Sequence, residues 1–222
     1  MNRTAVVPVI AVDGPGGSGK GTITTRLAAH LGWHFLDSGA LYRLTALAAL
    51  KSQVSLDDEA ALGELAAGLD IRFELDGENV RALLDQQDVS DAIRLEDAGA
   101  SASKIAALPA VRAALKGRQR RFRQMPGLVA DGRDMGTVIF PDAQLKIFLT
   151  ASAEIRAERR YKQLKDKGES VNLTRLFREI KARDLRDQSR SIAPLRPAED
   201  AVIIDSSHMS IEEVFSKVVS LI

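Results

Sequence analysis

A glycine-rich segment directly after a strand-like segment is the feature that most restricts this fold. Val6–Val12 is nearly all apolar and rich in β-branched residues, which favours a strand buried on both faces. Gly14–Thr22 comes next, and Ile23–Leu31 then has apolar residues at a helical spacing. Strand, glycine loop and helix in this order form the context that a P-loop requires. The sequence therefore predicts a phosphate-binding loop near its start.

The physics of such a loop depends on its backbone. Glycines allow several amide N–H groups to converge on a polyanion, and the helix that follows directs its positive end at the same anion. Lys20 would reach the terminal phosphates as a point charge. The candidate phosphate-binding residues are Gly14, Pro15, Gly16, Gly17, Ser18, Gly19, Lys20, Gly21 and Thr22.

The loop departs from the strict motif at one position. The motif has Ser or Thr directly after the lysine, whereas here Gly21 intervenes and the hydroxyl comes at Thr22. We therefore expect no direct protein ligand to Mg²⁺. The candidates for contact through water are Thr22 and Asp131, which ends a later strand-like segment.

Four further apolar segments predict a sheet of about five parallel strands. They are His34–Leu36, Leu128–Ala130, Leu145–Leu149 and Ala201–Ile204, and each ends near a polar or small residue. Helix-like sequence separates most of them, which indicates a doubly wound α/β domain of the P-loop three-layer type. Ligands of such sheets bind beyond the carboxyl ends of the strands, where these polar residues fall.

Two intervals extend this plan. Ile71–Leu75 and Val80–Leu84 flank Asp76-Gly77, which predicts a β-hairpin inside an inserted subdomain at about residues 54–94. Ala153–Arg190 predicts helices around the loop Lys167–Glu169, and we expect residues of about 153–190 to form a helical lid with its flanks. Residues 1–222 would form a single P-loop domain.

Composition excludes several other classes. The formal net charge is +1, which gives no global basic field for non-specific nucleic-acid binding, and the absence of Cys excludes disulfides and thiolate zinc sites. No apolar run approaches the ~20 residues that span a bilayer, and the first residues do not read as a signal peptide. We expect a cytoplasmic protein with no membrane partner.

A second group of residues is rich in arginine and follows the same strand ends. Ser38–Arg43 follows the second segment, Arg133-Asp134 follows the third, and the spacing of Arg183, Asp187 and Arg190 predicts one helix face. These arginines could converge on a second phosphate, because guanidinium groups bind phosphate bidentately. Plainer alternatives remain open: a surface salt-bridge ladder at the helix, a helix cap at Asp37 and a core position for Tyr42.

Four motifs together resemble the bacterial-type cytidylate kinases, within the P-loop nucleoside monophosphate kinases. The motifs are GPGGSGKGT, DSGALYR, VADGRDMGTVIFPDA and RDLRDQSRSIAPLRPA, and the resemblance extends from Asp13 to about Ser207. It implies an enzyme that transfers the γ-phosphoryl group of ATP to CMP or dCMP with Mg²⁺. The interval at 54–94 would be the region that binds the nucleoside monophosphate.

The resemblance also implies roles for individual residues. Arg43 and Arg133 would hold the acceptor phosphate, and Lys20, Arg133 and Arg183 would be catalytic. Arg156 and Arg160 would be lid arginines on the ATP side. Within the acceptor site, Ser103, Arg112 and Asp134 would read cytosine. Arg183 and Asp187 would lie at the ribose, and Arg190 would contact CMP. The full set of acceptor-site residues would be Ser38, Tyr42, Arg43, Ser103, Arg112, Arg133, Asp134, Arg183, Asp187 and Arg190.

Two other functions fit the P-loop. One is a regulatory or nucleic-acid-associated NTPase, in which the basic run Lys116–Arg123 and the Arg-rich C-terminal part bind RNA. The balanced charge and the small number of aromatic residues argue against it. The other is a kinase for a different small acceptor, such as UMP. We expect small-molecule substrates, no stable nucleic-acid partner and a monomer.

Overall fold

A computed structural model describes residues 6–76, 79–166 and 168–222 of the chain. The main sheet has five parallel strands in the order β2-β6-β1-β7-β8, which confirms the predicted fold class. The strands of this sheet are β1 Val9–Asp13, β2 His34–Asp37, β6 Leu128–Gly132, β7 Leu145–Thr150 and β8 Val202–Asp205, while β3 Ile71–Asp76, β4 Asn79–Leu84 and β5 Gln87–Asp88 form a second sheet.

The helices cover both faces of the five-stranded sheet. They are α1 Lys20–Leu31, α2 Ser38–Lys51, α3 Glu59–Gly68, α4 Glu96–Ile105, α5 Pro109–Arg121, α6 Ala153–Asp166, α7 Leu173–Gln188 and α8 Ile211–Val219. None of the helices in the described ranges is long and apolar enough to cross a membrane.

Alternation along β1 shows why the domain has three layers. Val9 and Ala11 pack into a core with α2 and α5, whereas Ile10 and Val12 pack into a second core with α1 and α8. All four side chains are buried, because successive residues of a strand point to opposite faces. A strand covered on both sides must be apolar throughout, and this is the pattern seen in the sequence.

The predicted hairpin forms between β3 and β4, which pair antiparallel from Ile71↔Leu84 to Asp76↔Asn79. Gly77 of the predicted turn lies outside the described residues, as does Lys167 of the loop between α6 and α7. The short strand β5 extends the hairpin to three strands and was not predicted. Ile71 and Leu84 belong to the same core as α2, so the hairpin packs on the main domain. The boundaries at about 54–94 and 153–190 stay predictions.

One helix is shorter than predicted. α7 ends at Gln188, and the chain turns so that Leu195 N donates to Asp187 O over 2.8 Å. Arg190 therefore lies beyond the helix rather than on one face with Arg183 and Asp187. The prediction of a single helix face for all three residues was wrong, although Arg190 still contacts Asp187.

Candidate active site

The glycine loop occupies the carboxyl end of β1 and leads into α1. Gly14 has φ 149°, and a Cβ there would lie 2.0 Å from the carbonyl oxygen of Leu149 in β7. Gly17 and Gly19 have φ of 80° and 92°, conformations that other L-residues rarely adopt. The path of the loop therefore depends on these glycines.

Lys20 folds back onto its own loop. Its Nζ donates to the carbonyl oxygen of Pro15 over 2.8 Å and lies 3.9 Å from Oδ1 of Asp131. Burial lowers the pKa of Lys20, and the cation of Arg133 lowers it further, while Asp131 opposes the shift. Burial also raises the pKa of Asp131. The lysine and the aspartate form a buried pair where the terminal phosphates of a nucleotide would lie.

Asp131, which was predicted to contact Mg²⁺ through water, lies beside Lys20. It pairs in register with Asp37 at the ends of β6 and β2, and its Oδ2 lies 3.5 Å from the hydroxyl of Thr24. Thr22 is exposed, and the nearby hydroxyl bonded to Asp131 is that of Thr24. No group of three or more side-chain metal ligands occurs in the described part of the chain.

Ser206 supports the loop from behind, and this role escaped the sequence analysis. Its hydroxyl lies 3.1 Å from the carbonyl oxygen of Ser18 and 3.0 Å from that of Thr150. Arg159 of α6 donates to the carbonyl oxygen of Ser206 over 2.6 Å. The segment after β8 thus fixes the turn of the P-loop, although no local motif in the sequence indicates this contact.

Arginines from distant segments lie against the loop. A Cβ on Gly16 would lie 3.4 Å from Nη2 of Arg133 and 3.6 Å from Nη1 of Arg183. Arg156 of α6 donates from Nη1 to the carbonyl oxygen of Gly16 over 3.1 Å and also binds the carboxylate of Asp184. The structure therefore brings three predicted arginines to the loop.

Arg160 is the second predicted lid arginine. It follows Arg156 by one turn of α6 and is half-buried.

Asp187 organises the acceptor-side arginines. It is buried, accepts from Nε of Arg133 over 3.2 Å, and pairs with the guanidinium of Arg190. Its position at the end of α7 lets one carboxylate hold arginines from two loops. Asp187 thus holds the guanidinium groups of Arg133 and Arg190 in place before any anion binds.

The residues predicted to read the base form a buried group. Arg112 of α5 and Asp134 make a buried ion pair, and burial raises the pKa of Asp134 while Arg112 opposes that shift. Burial raises the pKa of the neighbouring Tyr42 to about 12. The hydroxyl of Ser103 is buried and has no hydrogen-bond partner among the described residues. A buried polar atom of this kind needs a partner, which a ligand can supply.

The start of α2 contributes the remaining acceptor-side residues. Asp37 caps the helix by accepting from Ala40 N over 2.8 Å, as one of the plainer alternatives proposed. The same carboxylate accepts from Nη2 of Arg43 over 3.2 Å, and Nε of Arg43 is buried without a partner in the described ranges. Ser38 is buried at the first position of the helix. Arg43 therefore keeps hydrogen-bonding capacity for an anion.

Asp13 joins the donor and acceptor sides, and sequence reasoning missed it as a site residue. Its carboxylate accepts from Met135 N and Gly136 N, each over 2.8 Å. These amides begin a π-helical turn, Met135–Ile139, directly after Asp134. Burial raises the pKa of Asp13 to about 7, even though both backbone hydrogen bonds oppose the shift. The one sequence signal for a role of Asp13 was its position at the junction of β1 and the loop. Its partners Met135 and Gly136 lie too far away in sequence to be predicted.

Comparison with known proteins identifies the family of the chain. The sequence profile of the family described as "Cytidylate kinase" matches residues 10–222. The chain belongs to the cytidylate kinase family. Within that family, the cytidylate kinase of Aeromonas salmonicida is 60% identical over 97% of this chain and 94% of its own. The cytidylate kinase of Stutzerimonas stutzeri is 60% identical over 96% and 94%.

A solved structure, TT1252 from Thermus thermophilus, matches at 17% identity over 97% of this chain and 95% of its own, with a TM-score of 0.48. The family assignment of this cytidylate kinase homologue depends on the sequence matches alone.

Proposed function

We propose that this chain transfers the γ-phosphoryl group of ATP to CMP or dCMP, which yields ADP and CDP or dCDP. One observation carries the proposal: the guanidinium groups of Arg133 and Arg183 lie against Gly16 of the phosphate loop. Arginines that are held at a P-loop from separate segments can bind a second phosphate beside the first. A loop that only bound and hydrolysed ATP would not need this second group of cations.

Phosphoryl transfer requires little covalent help from a protein. It needs an acceptor oxygen and a γ-phosphorus held in line, with the charge neutralised as it moves toward the leaving oxygen. Lys20 would leave Pro15 O and contact the transferred group, while Arg133 and Arg183 would balance the charge between the two nucleotides. No catalytic base is needed, because the phosphate of the acceptor already carries the nucleophilic oxygen.

Mg²⁺ would neutralise negative charge on the β- and γ-phosphates when it is bound. Mg²⁺ keeps several of its waters and is commonly held by one or two carboxylates together with substrate phosphates. The donor chemistry fits, because Asp131 presents a carboxylate beside Lys20 and next to Asp37. We assign Asp131 as the carboxylate that contacts the ion through water, with Thr22 as the second contact.

The buried group around Asp134 would select cytosine. The exocyclic amine of cytosine is a donor, and its ring carbonyl is an acceptor. Asp134 and the unpartnered hydroxyl of Ser103 can accept from the amine, and Arg112 can donate to the carbonyl. Uracil presents an acceptor where cytosine has its donor, so its carbonyl would face the carboxylate of Asp134.

The lid assignment follows from α6. Arg156 links this helix to Gly16 and to Asp184 of α7, so movement of α6 and α7 would change the ATP side of the site. Arg160, one turn later, would come to the phosphates when the lid closes. Closure would exclude water and limit wasteful hydrolysis of ATP. We also propose that the enzyme works as a cytoplasmic monomer on small molecules alone.

An ADP-release assay across several acceptors tests the proposal. Purified protein is given ATP and Mg²⁺ with CMP, dCMP, UMP, AMP or single-stranded RNA. We expect stimulation by CMP and dCMP above the other acceptors. ADP release that RNA stimulates without an acceptor nucleotide would contradict the proposal, and so would equal stimulation by UMP or AMP.

A further inference from the structure

We propose a second nucleotide site at the opposite end of the sheet, in a cleft between β2, β3 and the last turn of α5. We call it the amino-end cleft, because His34 at its edge begins β2 and Trp33 directly precedes that strand, whereas the phosphate loop lies beyond the carboxyl ends of the strands. The cleft has a volume of about 510 Å³. This lies within the ~300–1,000 Å³ of small-ligand sites.

Aromatic side chains make its wall. The rings of Phe73 and Phe122 contact each other with centroids 5.7 Å apart, and Trp33 lines the same cleft. The ring of Trp33 is fixed from one side, since a Cβ on Gly127 would come within 2.3 Å of it. All three side chains are only partly buried, so aromatic surface remains available to a planar ligand.

Two arginines of the basic run face this aromatic wall. Arg118 and Arg121 line the cleft, and no salt bridge in the described part of the chain joins a carboxylate to either, although the charge of Asp70 acts on Arg118. Nε of Arg118 is buried without a hydrogen-bond partner in the described ranges. Its Nη2 has only the carbonyl oxygen of Ala67, at 3.4 Å. Both guanidinium groups can therefore bind an anion.

The other charges near the cleft are already partnered. Arg72 lies 3.6 Å from the carboxylate of Asp70, and Glu74 pairs with Arg81. The unpaired charge of the cleft is thus positive and comes from α5. The neighbouring Arg120 and Arg123 have structural contacts instead, to Ile139 O and to Val7 O.

The two guanidinium groups of Arg118 and Arg121, beside aromatic rings, fit a ligand that carries both a phosphate and a planar base. The arginines would bind the phosphate, and the base would lie on the phenylalanine or tryptophan rings. The cleft is partly open, and its volume of about 510 Å³ matches one small ligand, so we assign a mononucleotide rather than a nucleic-acid strand. Arg112 is on the same helix, which gives a physical connection to the acceptor side of the active site.

Trp33 provides the measurement, because it is the only Trp of the chain. Its fluorescence is followed as CMP, ATP, pyrophosphate, cytidine and a single-stranded oligonucleotide are added separately. We expect a saturable change with CMP or ATP, with a Kd of about 1 mM or tighter. Pyrophosphate and cytidine each lack half of the ligand, so both should bind at least ~10-fold more weakly, as the loss of one good contact predicts. Tighter binding of the oligonucleotide than of either nucleotide would overturn the assignment.

Variants separate this site from the active site. Arg118→Ala/Arg121→Ala should weaken the fluorescence response to the nucleotide at least ~10-fold and leave the KM values of both substrates unchanged. Lys116→Ala on the same helix is the matched control and should respond as wild type. The exposed substitution Arg121→Glu serves if the double variant does not fold. An unaltered binding curve in these variants, or no saturable change in wild type, would refute the site.

Discussion

The donor and acceptor sides of this site are built by opposite means. The donor side is one continuous segment, Gly14–Thr22, and its geometry comes from its backbone conformation, in which Gly14, Gly17 and Gly19 have φ values that other L-residues rarely adopt. The acceptor side collects single side chains from α2, α4, α5, the loop after β6 and the end of α7. The donor side can therefore be predicted from one stretch of sequence, whereas the acceptor side forms only when the chain folds.

The two sides also differ in which groups hold their cationic side chains before a nucleotide binds. On the donor side, Lys20 donates a hydrogen bond to a neutral carbonyl oxygen of the loop. A phosphate would replace this acceptor with a stronger, charged one. On the acceptor side, carboxylates hold the arginines: Asp37 holds Arg43, and Asp187 holds Arg133. These ion pairs keep the guanidinium groups in place, but a nucleotide must compete with them. Substitutions on the donor side should therefore affect turnover, and those on the acceptor side should affect affinity and selectivity.

Lys20→Met gives the largest expected effect. We expect kcat to fall by about 100-fold or more, because one charge contact to the transition state is lost in a buried site. Steady-state kinetics with CMP as the acceptor measure kcat. Lys116→Met, which replaces an exposed lysine of α5, is the matched control. A near-normal kcat would remove the basis for assigning the P-loop as the donor side.

Arg43→Ala should act on the acceptor alone. We expect the KM for CMP to rise by about 10- to 100-fold, the loss of a charged hydrogen bond, with the KM for ATP nearly unchanged. The exposed Arg81→Ala, which also removes one ion pair, should leave both values as in wild type. A parallel rise in the KM for ATP would show that the two sides are not independent.

Asp134→Ala should change selectivity more than rate. We expect the preference for CMP over UMP, measured as the ratio of kcat/KM values, to fall by about 10-fold. The affinity for ATP should change less. Asp142→Ala, which removes a surface carboxylate paired with Arg123, is the control. Discrimination equal to wild type would exclude Asp134 as a reader of the base.

Asp13→Asn tests the connection between the two sides and gives the smallest effect. An amide cannot accept from both Met135 N and Gly136 N as the carboxylate does, so we expect kcat/KM for CMP to fall only a few-fold, or about 1 kcal/mol. The turn after Asp134 should shift slightly.

The stability of this variant should also depend on pH. The pKa of Asp13 is raised from 3.8 to about 7 by folding, so between these values the native state binds more protons than the unfolded state. Wild type consequently loses stability from this group as the pH rises from about 4 to 7, and Asn does not. The stability gap between wild type and variant should be greater at pH 5 than at pH 8 in urea unfolding. A gap that is the same at both pH values would contradict the raised pKa.

Features that depend on neighbouring residues could be predicted from the sequence. All five strands of the main sheet were expected within a few residues of their bounds. In β1 and β6, burial on both faces leaves an uninterrupted apolar run. The path of the phosphate loop follows from its glycines in the same way.

Long-range contacts could not be predicted in this way. Asp13 meets Met135 across 122 positions, and Arg190 reaches Asp187 from beyond the end of α7 rather than along its face. The arginines of the acceptor side were expected from their positions after the strand ends, and the family resemblance implied their roles, whereas the carboxylates that hold them came from the structure.

The contact between Ser206 and Ser18 has a consequence for the chain as it is synthesised. The phosphate loop is made early, yet the hydroxyl that supports its turn arrives only after β8. On the ribosome, the nascent chain therefore carries the loop for most of its synthesis without that support. We therefore expect nucleotide binding to begin late, when β8 has joined the sheet and Ser206 has reached the loop.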